Sequence, residues 1–277
     1  MEPLPIDPHA ERIANLVRDR GALVLVAPPG SGKTTRVPPA LLERGLRTEG
    51  RVVVLQPRRI AARAAAARIA RERGWTLGRE VGYTVRFERK ASRATRIEFV
   101  TEAILTRRLR SDLFLEGTSA VVLDEFHERS VHSDLALALV REIRRAGRDD
   151  LSVVVMSATL DPRPISEYLE GCPVVEVGGR PYPVEIRYAS RPAPRDPRAI
   201  PKAAAEALRS AFDEARGHAL VFLPGIGEIR GAAGELEAFA RSPLARTGRS
   251  SWRRTWPRLR SRSTASTSSW TRAPRGS

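Results

Sequence analysis

Apolar residues in this chain come in short, mostly continuous runs rather than in strict alternation. They are Ala22 to Val26, Val52 to Leu55, Ile97 to Val100 (behind Arg96 and interrupted by Glu98), Ala120 to Leu123, and Leu151 to Met156. Runs of this length, bounded by polar residues, Gly or Pro, predict strands buried on both faces, as in a parallel sheet covered by helices. The second run leads through Gln56-Pro57 into an alanine-rich segment reaching about Arg71, which predicts a helix. Strand, polar turn and helix in succession predict an α/β architecture. In such sheets ligands meet the chain beyond the carboxyl ends of the strands, so chemistry is sought in the residues that follow each run.

The first run passes into Ala27-Pro28-Pro29-Gly30-Ser31-Gly32-Lys33-Thr34-Thr35. Glycines at 30 and 32 permit a tight turn in which main-chain N–H groups converge, and a helix opening near Lys33 adds its positive end. This is a phosphate-binding loop: Lys33 would meet the β- and γ-phosphates and the Thr34 hydroxyl would hold Mg²⁺. Ala27 stands where the strict pattern G-x-x-x-x-G-K-[ST] has its first glycine.

Four other segments should reach the same edge. Gln56-Pro57-Arg58-Arg59 follows the second run, and two cations at a helix start, where the dipole disfavours them, are relieved by an anionic ligand. Thr101-Glu102 follows the third run. Asp124-Glu125-Phe126-His127 follows the fourth, ninety residues after Thr34. A carboxylate at a strand tip is how a P-loop enzyme completes its Mg²⁺ site, and Glu125 beside Asp124 would orient or deprotonate water. Ser157-Ala158-Thr159 follows the fifth.

Charge changes the picture only in part. The chain carries 48 Lys and Arg against 32 Asp and Glu, but residues 241–277 hold ten Arg and no acid. The first 240 residues therefore carry 38 basic against 32 acidic residues, a net of +6 that still suits a polyanionic partner. Cys172 is the one cysteine, which excludes an intrachain disulfide and fits a reducing compartment. The opening residues show no basic and apolar leader, and no apolar run nears the 20 or so residues of a membrane helix. A cytoplasmic protein with no membrane association is expected.

Together, Ala27 to Thr35, Gln56 to Arg59, Thr101-Glu102, Asp124 to His127 and Ser157 to Thr159 occur in the order and spacing of superfamily 2 DExH-box helicases. Within them the chain resembles the bacterial HrpB-type ATP-dependent helicases through LQPRRIAARAAAARIA, VGYTVRFE, LDEFHERSVHSDLALAL, VMSATLD and LVFLPGIGEIR, over about residues 4–240. Phe126 replaces the Ala of the commoner DEAH box, a variant similar to the HrpB form. The resemblance implies an ATP-dependent nucleic-acid helicase, with RNA the expected strand and DNA left open. It implies ATP and Mg²⁺ at Pro29, Gly30, Ser31, Gly32, Lys33, Thr34 and Thr35, with Asp124 on the metal, Glu125 as catalytic base and Arg68 stacked on adenine. Arg58, Arg86, Thr101 and Glu102 would face a single strand, joined by Arg59 from its place on the edge. His127, Ser157 and Thr159 would couple ATP state to strand movement. For Arg86 the strand pattern alone gives only an exposed edge residue.

The implied organisation is a RecA-like ATP-binding domain over 1–180, an incomplete second RecA-like domain over 181–240 and an atypical tail over 241–277. In the second, Val184 to Tyr188 and Ala219 to Leu223 read as strands and Lys202 to Ala215 as an amphipathic helix. No Q-x-x-G-R-x-G-R stretch, the family's source of arginine fingers, follows. The tail has no helical or strand period and predicts disorder. Two readings of it stand: a shifted reading frame, or a basic segment whose three Trp stack on bases. Two rival functions also stand, a fragment that binds nucleotide and nucleic acid without turnover, and a P-loop ATPase acting on protein partners.

Overall fold

The computed structural model describes residues 3–178, 185–189, 192, 194–214 and 219–241. The chain divides into two compact units, Met1–Pro183 and Val184–Ser277.

The first unit is one eight-stranded sheet with helices on both faces. In chain order it runs α1 (Asp7–Arg20), β1 (Ala22–Val26), α2 (Lys33–Ala40), β2 (Arg51–Leu55), α3 (Arg59–Arg73), β3 (Val81–Val85), β4 (Glu88–Lys90) and β5 (Ile97–Val100). It continues through α4 (Glu102–Ser111), β6 (Thr118–Leu123), α5 (Val131–Arg145), β7 (Ser152–Ser157), α6 (Arg163–Tyr168) and β8 (Val174–Glu176). The strand order is β4-β3-β5-β2-β6-β7-β1-β8, parallel throughout except for the β3–β4 hairpin at one edge. All five predicted apolar runs are strands of this sheet. The short β8 and β4 had no such signal, and β3 showed only the edge-strand pattern around Arg86.

Each buried strand sends alternate side chains to opposite faces. Leu25, Val54, Phe99 and Val122 pack against Ile13 and Val17 of α1, Val37 of α2 and Ile69 of α3. Val24, Leu55, Val121 and Val155 pack on the other face against Leu105 of α4, Val140 of α5 and Ile165 of α6. Glu98 breaks the apolar pattern of β5 yet is fully buried. Arg51 of β2 bonds its carboxylate at 2.8 Å, the Thr84 hydroxyl at 2.6 Å, and Arg108 of α4 joins them. Burial alone would raise this carboxyl, but Arg108 first, with Thr84 and Arg51, holds it below the usual carboxylate range.

Register fixes the working edge. Leu55 is level with Val100 on one side and Leu123 on the other, and Val26 is level with Ser157. The segments after β5, β2, β6, β7 and β1 therefore emerge side by side. The helix that follows the β1 turn contains Pro38 and Pro39 and loosens into a π-helical turn at Leu41–Gly45, since proline supplies no N–H to the ladder.

In the second unit α7 (Ile200–Glu214) spans the predicted helix as far as Glu214, Ala215 lying outside the described residues, and α8 (Ile226–Arg241) follows. The two pack closely, with Ala205, Ala232 and Leu236 buried and Arg209 donating to the Glu235 carbonyl. The expected strands are not formed: residues 185–189 and 219–223 carry no strand pairing, and Tyr188, Leu220 and Phe222 stand exposed. An apolar run becomes a strand only when a neighbour takes its main-chain hydrogen bonds. Neither run is paired into a strand among the described residues. The predicted disordered tail lies outside the described residues beyond Arg241, as does Val184 of the first of these runs. Among the described residues no helix is long and apolar enough to cross a membrane.

Candidate nucleotide and nucleic-acid site

The loop between β1 and α2 turns through two left-handed glycines, Gly30 at φ 77° and Gly32 at φ 94°. A side chain at Gly32 would collide with Leu4 and Ile6, whereas nothing lies within 4 Å of the place a Cβ would take at Gly30. The N-terminal segment thus backs the loop, and the Ile6 N–H donates to the Ser31 carbonyl at 3.1 Å. Pro29 and Gly30 are exposed and Ser31 is buried, its hydroxyl without a hydrogen-bond partner among the described residues. Thr35 closes the turn by donating to the Gly32 carbonyl at 3.4 Å.

Lys33 opens α2 and is only 4% exposed. Its ammonium lies 3.4 Å from Glu125. Thr34 donates its hydroxyl proton to Asp124 Oδ2 at 2.6 Å, closing the ninety-residue gap seen in the sequence. The same oxygen accepts from the Gln56 amide at 2.7 Å, and Oδ1 accepts the Glu125 N–H at 2.9 Å. Glu125 stands in the left-handed region, φ 53° and ψ 37°, which costs a non-glycine residue about 1–3 kcal/mol. That turn aims its carboxylate between Lys33 and His127, whose Nδ1 lies 3.5 Å away.

Burial pushes the Asp124 carboxyl up to about 6, opposed by the Thr34 hydrogen bond, furthered by Glu125 and opposed again by Lys33. A carboxyl raised on folding contributes stability that is whole below its unfolded value and is lost as pH rises through about 6. Without Mg²⁺ or nucleotide, melting from pH 4 to 7 should show the wild type losing about 2 kcal/mol relative to Asp124→Asn, at about 1.4 kcal/mol for each tenfold change in proton affinity. Parallel pH curves for the two proteins would show that the buried charge costs nothing.

The remaining predicted residues divide. His127 Nδ1 accepts the Ala158 N–H at 3.3 Å, so the segments after β6 and β7 are joined. Ser157 is buried and accepts the Leu160 N–H at 3.1 Å, while Thr159 is exposed. Arg58 is half exposed and ion-paired with Glu128 at 2.9 Å; Arg59 is exposed at the start of α3. Thr101 is buried ahead of α4, and Glu102 accepts from the Ser130 hydroxyl that also caps α5. Arg86 lies at the tip of the β3–β4 edge hairpin, its guanidinium 4.6 Å from the Phe87 ring centroid and apart from the Gly30 to Thr35 loop in the strand order. Arg68 pairs with Glu72 at 2.8 Å. Glu72 also binds the buried Arg36 of α2, which in turn bonds Asp7 at 3.0 Å. Sequence reasoning assigned no role to Gln56, Arg36, Glu72 or Glu128. The one signal available was a lone amide, Gln56, at the tip of a buried strand.

Comparison with known proteins agrees with this geometry. The DEAD/DEAH box helicase family profile matches residues 7–168. The chain is 38% identical over 237 residues to an ATP-dependent RNA helicase HrpA homolog of Haemophilus influenzae, covering 85% of this chain and 18% of that protein. It is 41% identical over 232 residues to the ATP-dependent RNA helicase HrpB of Escherichia coli, covering 83% of this chain and 28% of the relative. The crystal structure of Escherichia coli DEAH/RHA helicase HrpB superimposes with a TM-score of 0.77 at 40% identity, over 87% of this chain and 30% of that one. A second crystal structure, of the Escherichia coli DExH-box NTPase HrpB, gives 0.71 at 40% identity over 86% and 29%. The chain therefore spans less than a third of the length of these relatives, and the α/β sheet of its first unit is their RecA-like fold. With the family profile covering more than half of its residues, this chain belongs to the DEAD/DEAH box helicase family.

Proposed function

We propose that the first unit binds ATP with Mg²⁺ at the Pro29 to Thr35 loop, and that the chain is the ATP-binding part of an HrpB-type RNA helicase that couples hydrolysis to movement along a single strand. The observation that carries this reading is the meeting of Lys33, Thr34, Asp124 and Glu125 at one sheet edge. The residues fit a phosphate and a hard cation: Ser31 Oγ is buried without a partner among the described residues, Gly30 leaves open space, and Lys33 is a buried cation at a helix start. Mg²⁺, when bound, neutralises phosphate charge as the γ-phosphoryl group departs. Lys33 holds the phosphates. Thr34, its hydroxyl hydrogen-bonded to Asp124, would keep its oxygen lone pairs for the cation. Glu125 takes the proton of the water whose oxygen bonds to the γ-phosphorus while ADP leaves. His127, Ser157 and Thr159 carry the nucleotide state onward, a role favoured by the Ala158 to His127 hydrogen bond. Arg68 stacks on adenine, favoured by its link through Glu72 to Arg36 on the phosphate-loop helix. Residues 181–240 open a second RecA-like domain, and the buried free thiol of Cys172 suits a reducing cytoplasm.

Measuring ATP hydrolysis with and without single-stranded RNA tests the reading. Stimulation is expected; equal rates would favour an ATPase for protein partners. ATP and RNA binding without turnover would favour the rival of a binding fragment.

The nucleic-acid part of the proposal rests on Arg58, Arg59 and Arg86 being exposed at the strand ends and the edge hairpin. Affinity for an unstructured single strand should fall linearly with log salt, with a slope of about −0.7 per phosphate neutralised and little sequence preference. Arg86→Ala or Arg58→Ala should flatten that slope by about one phosphate's share. If the slope is unchanged in both, or disappears when the chain ends at Ala240, another surface binds the strand.

A further inference from the structure

Gln56 is 3% exposed and anchored at both levels of structure. Its main-chain N–H donates to the Val100 carbonyl at 2.8 Å, and the Asp124 N–H donates to the Leu55 carbonyl at 3.0 Å. The two side chains thus spring from adjacent strand tips whose backbones cannot slide apart. Across that gap the Gln56 amide donates to Asp124 Oδ2 at 2.7 Å.

Among the described residues three donors hold the Asp124 carboxylate: Thr34, Gln56 and the Glu125 N–H. Thr34 belongs to the phosphate loop, and the Glu125 N–H belongs to the turn that carries Asp124 itself. Among the described residues Gln56 alone fixes the carboxylate from a third segment. Two residues further on, Arg58 pairs with Glu128 at 2.9 Å. The Gln56 to Arg58 segment therefore grips the Asp124 to Glu128 loop twice, once in the interior and once at the surface.

We propose that Gln56 is a positioning residue for the cation site: its amide sets the rotamer of Asp124, and through it directs the Thr34 hydroxyl proton away from the cation. A carboxylate with one donor removed swings about its χ angles, and Thr34 is then free to turn its proton outward. An amide is the side chain required, because it donates a hydrogen bond without adding charge next to the buried Asp124. Glutamate at this place would set a second carboxylate against the first. Methionine would fill the volume and donate nothing. Groups that orient a metal's ligands without touching the metal typically change its affinity by about 10–100-fold when removed.

This inference rests on the Mg-nucleotide reading above, and the experiment separates the two. The affinity of a fluorescent ADP is measured with Mg²⁺ and with EDTA in the wild type, Gln56→Met and Gln56→Glu, and Mn²⁺ binding is followed by electron paramagnetic resonance. Expected is a wild type that tightens with Mg²⁺ and variants that keep its EDTA affinity within about twofold while losing about tenfold or more of the tightening and of Mn²⁺ affinity. Wild-type tightening in both variants overturns the role of Gln56 and leaves the nucleotide site standing. Equal weakening with and without Mg²⁺, together with a lowered melting temperature, also overturns it, because a merely structural residue behaves so. If the wild type itself shows no Mg²⁺-dependent tightening, the nucleotide reading fails and the inference falls with it.

Discussion

Lys33→Ala is expected to lower Mg-ATP affinity by a factor between about 30 and several thousand. Lys33 is almost wholly buried at the first position of α2, with a carboxylate 3.4 Å away and the turn of Gly30 to Gly32 around it. A phosphate entering that turn would be held by a cation already stripped of water and fixed in direction. Truncating one partner of such a buried, hydrogen-bonded charge pair costs about 2–5 kcal/mol, and each 1.4 kcal/mol is about tenfold. Alanine is a good helix former, so α2 should survive the change. Calorimetry with Mg-ATP reads the effect, and circular dichroism checks the fold. An unchanged affinity would move the nucleotide away from this loop.

Glu125→Gln should separate binding from chemistry. The amide keeps the size of the side chain and its left-handed turn, so nucleotide affinity should stay within a few-fold of the wild type. What it removes is the proton acceptor, and positioned bases are worth about 10²–10⁴ in rate, or roughly 3–5 kcal/mol of barrier. Single-turnover hydrolysis in the presence of single-stranded RNA is the measurement. A variant that hydrolyses ATP at the wild-type rate would place the base elsewhere. His127, 3.5 Å from the Glu125 carboxylate, is then the next residue to replace.

Much of the site was legible in the sequence because its parts are local. Glycines at 30 and 32 ahead of Lys33-Thr34 are a turn that few other residues can make, and the apolar run before them is long enough to be a buried strand. Parallel strands also put every following segment at one edge, so the placing of Arg58, Asp124 and Ser157 together needed no coordinates. Arg86 shows the limit of that logic: its run sits at the sheet margin, and only the likeness to a family singled it out.

What the chain determined by itself, then, was the five central strands, the glycine turn and the sheet edge on which the acidic and basic segments gather. These follow from apolar runs, glycine and the geometry of parallel connections, all of which act within a few residues. Tertiary structure decided the rest. It paired Glu98 with Arg51, 47 residues away, and so made a buried charge tolerable inside β5. It set Gln56 against Asp124, 68 residues distant, where sequence offered only an amide at a strand tip. It gave β8 and the β3–β4 hairpin their partners, and left residues 219–223 outside any strand. A strand and a buried charge are both defined by what lies opposite, and what lies opposite is fixed only when distant segments have packed.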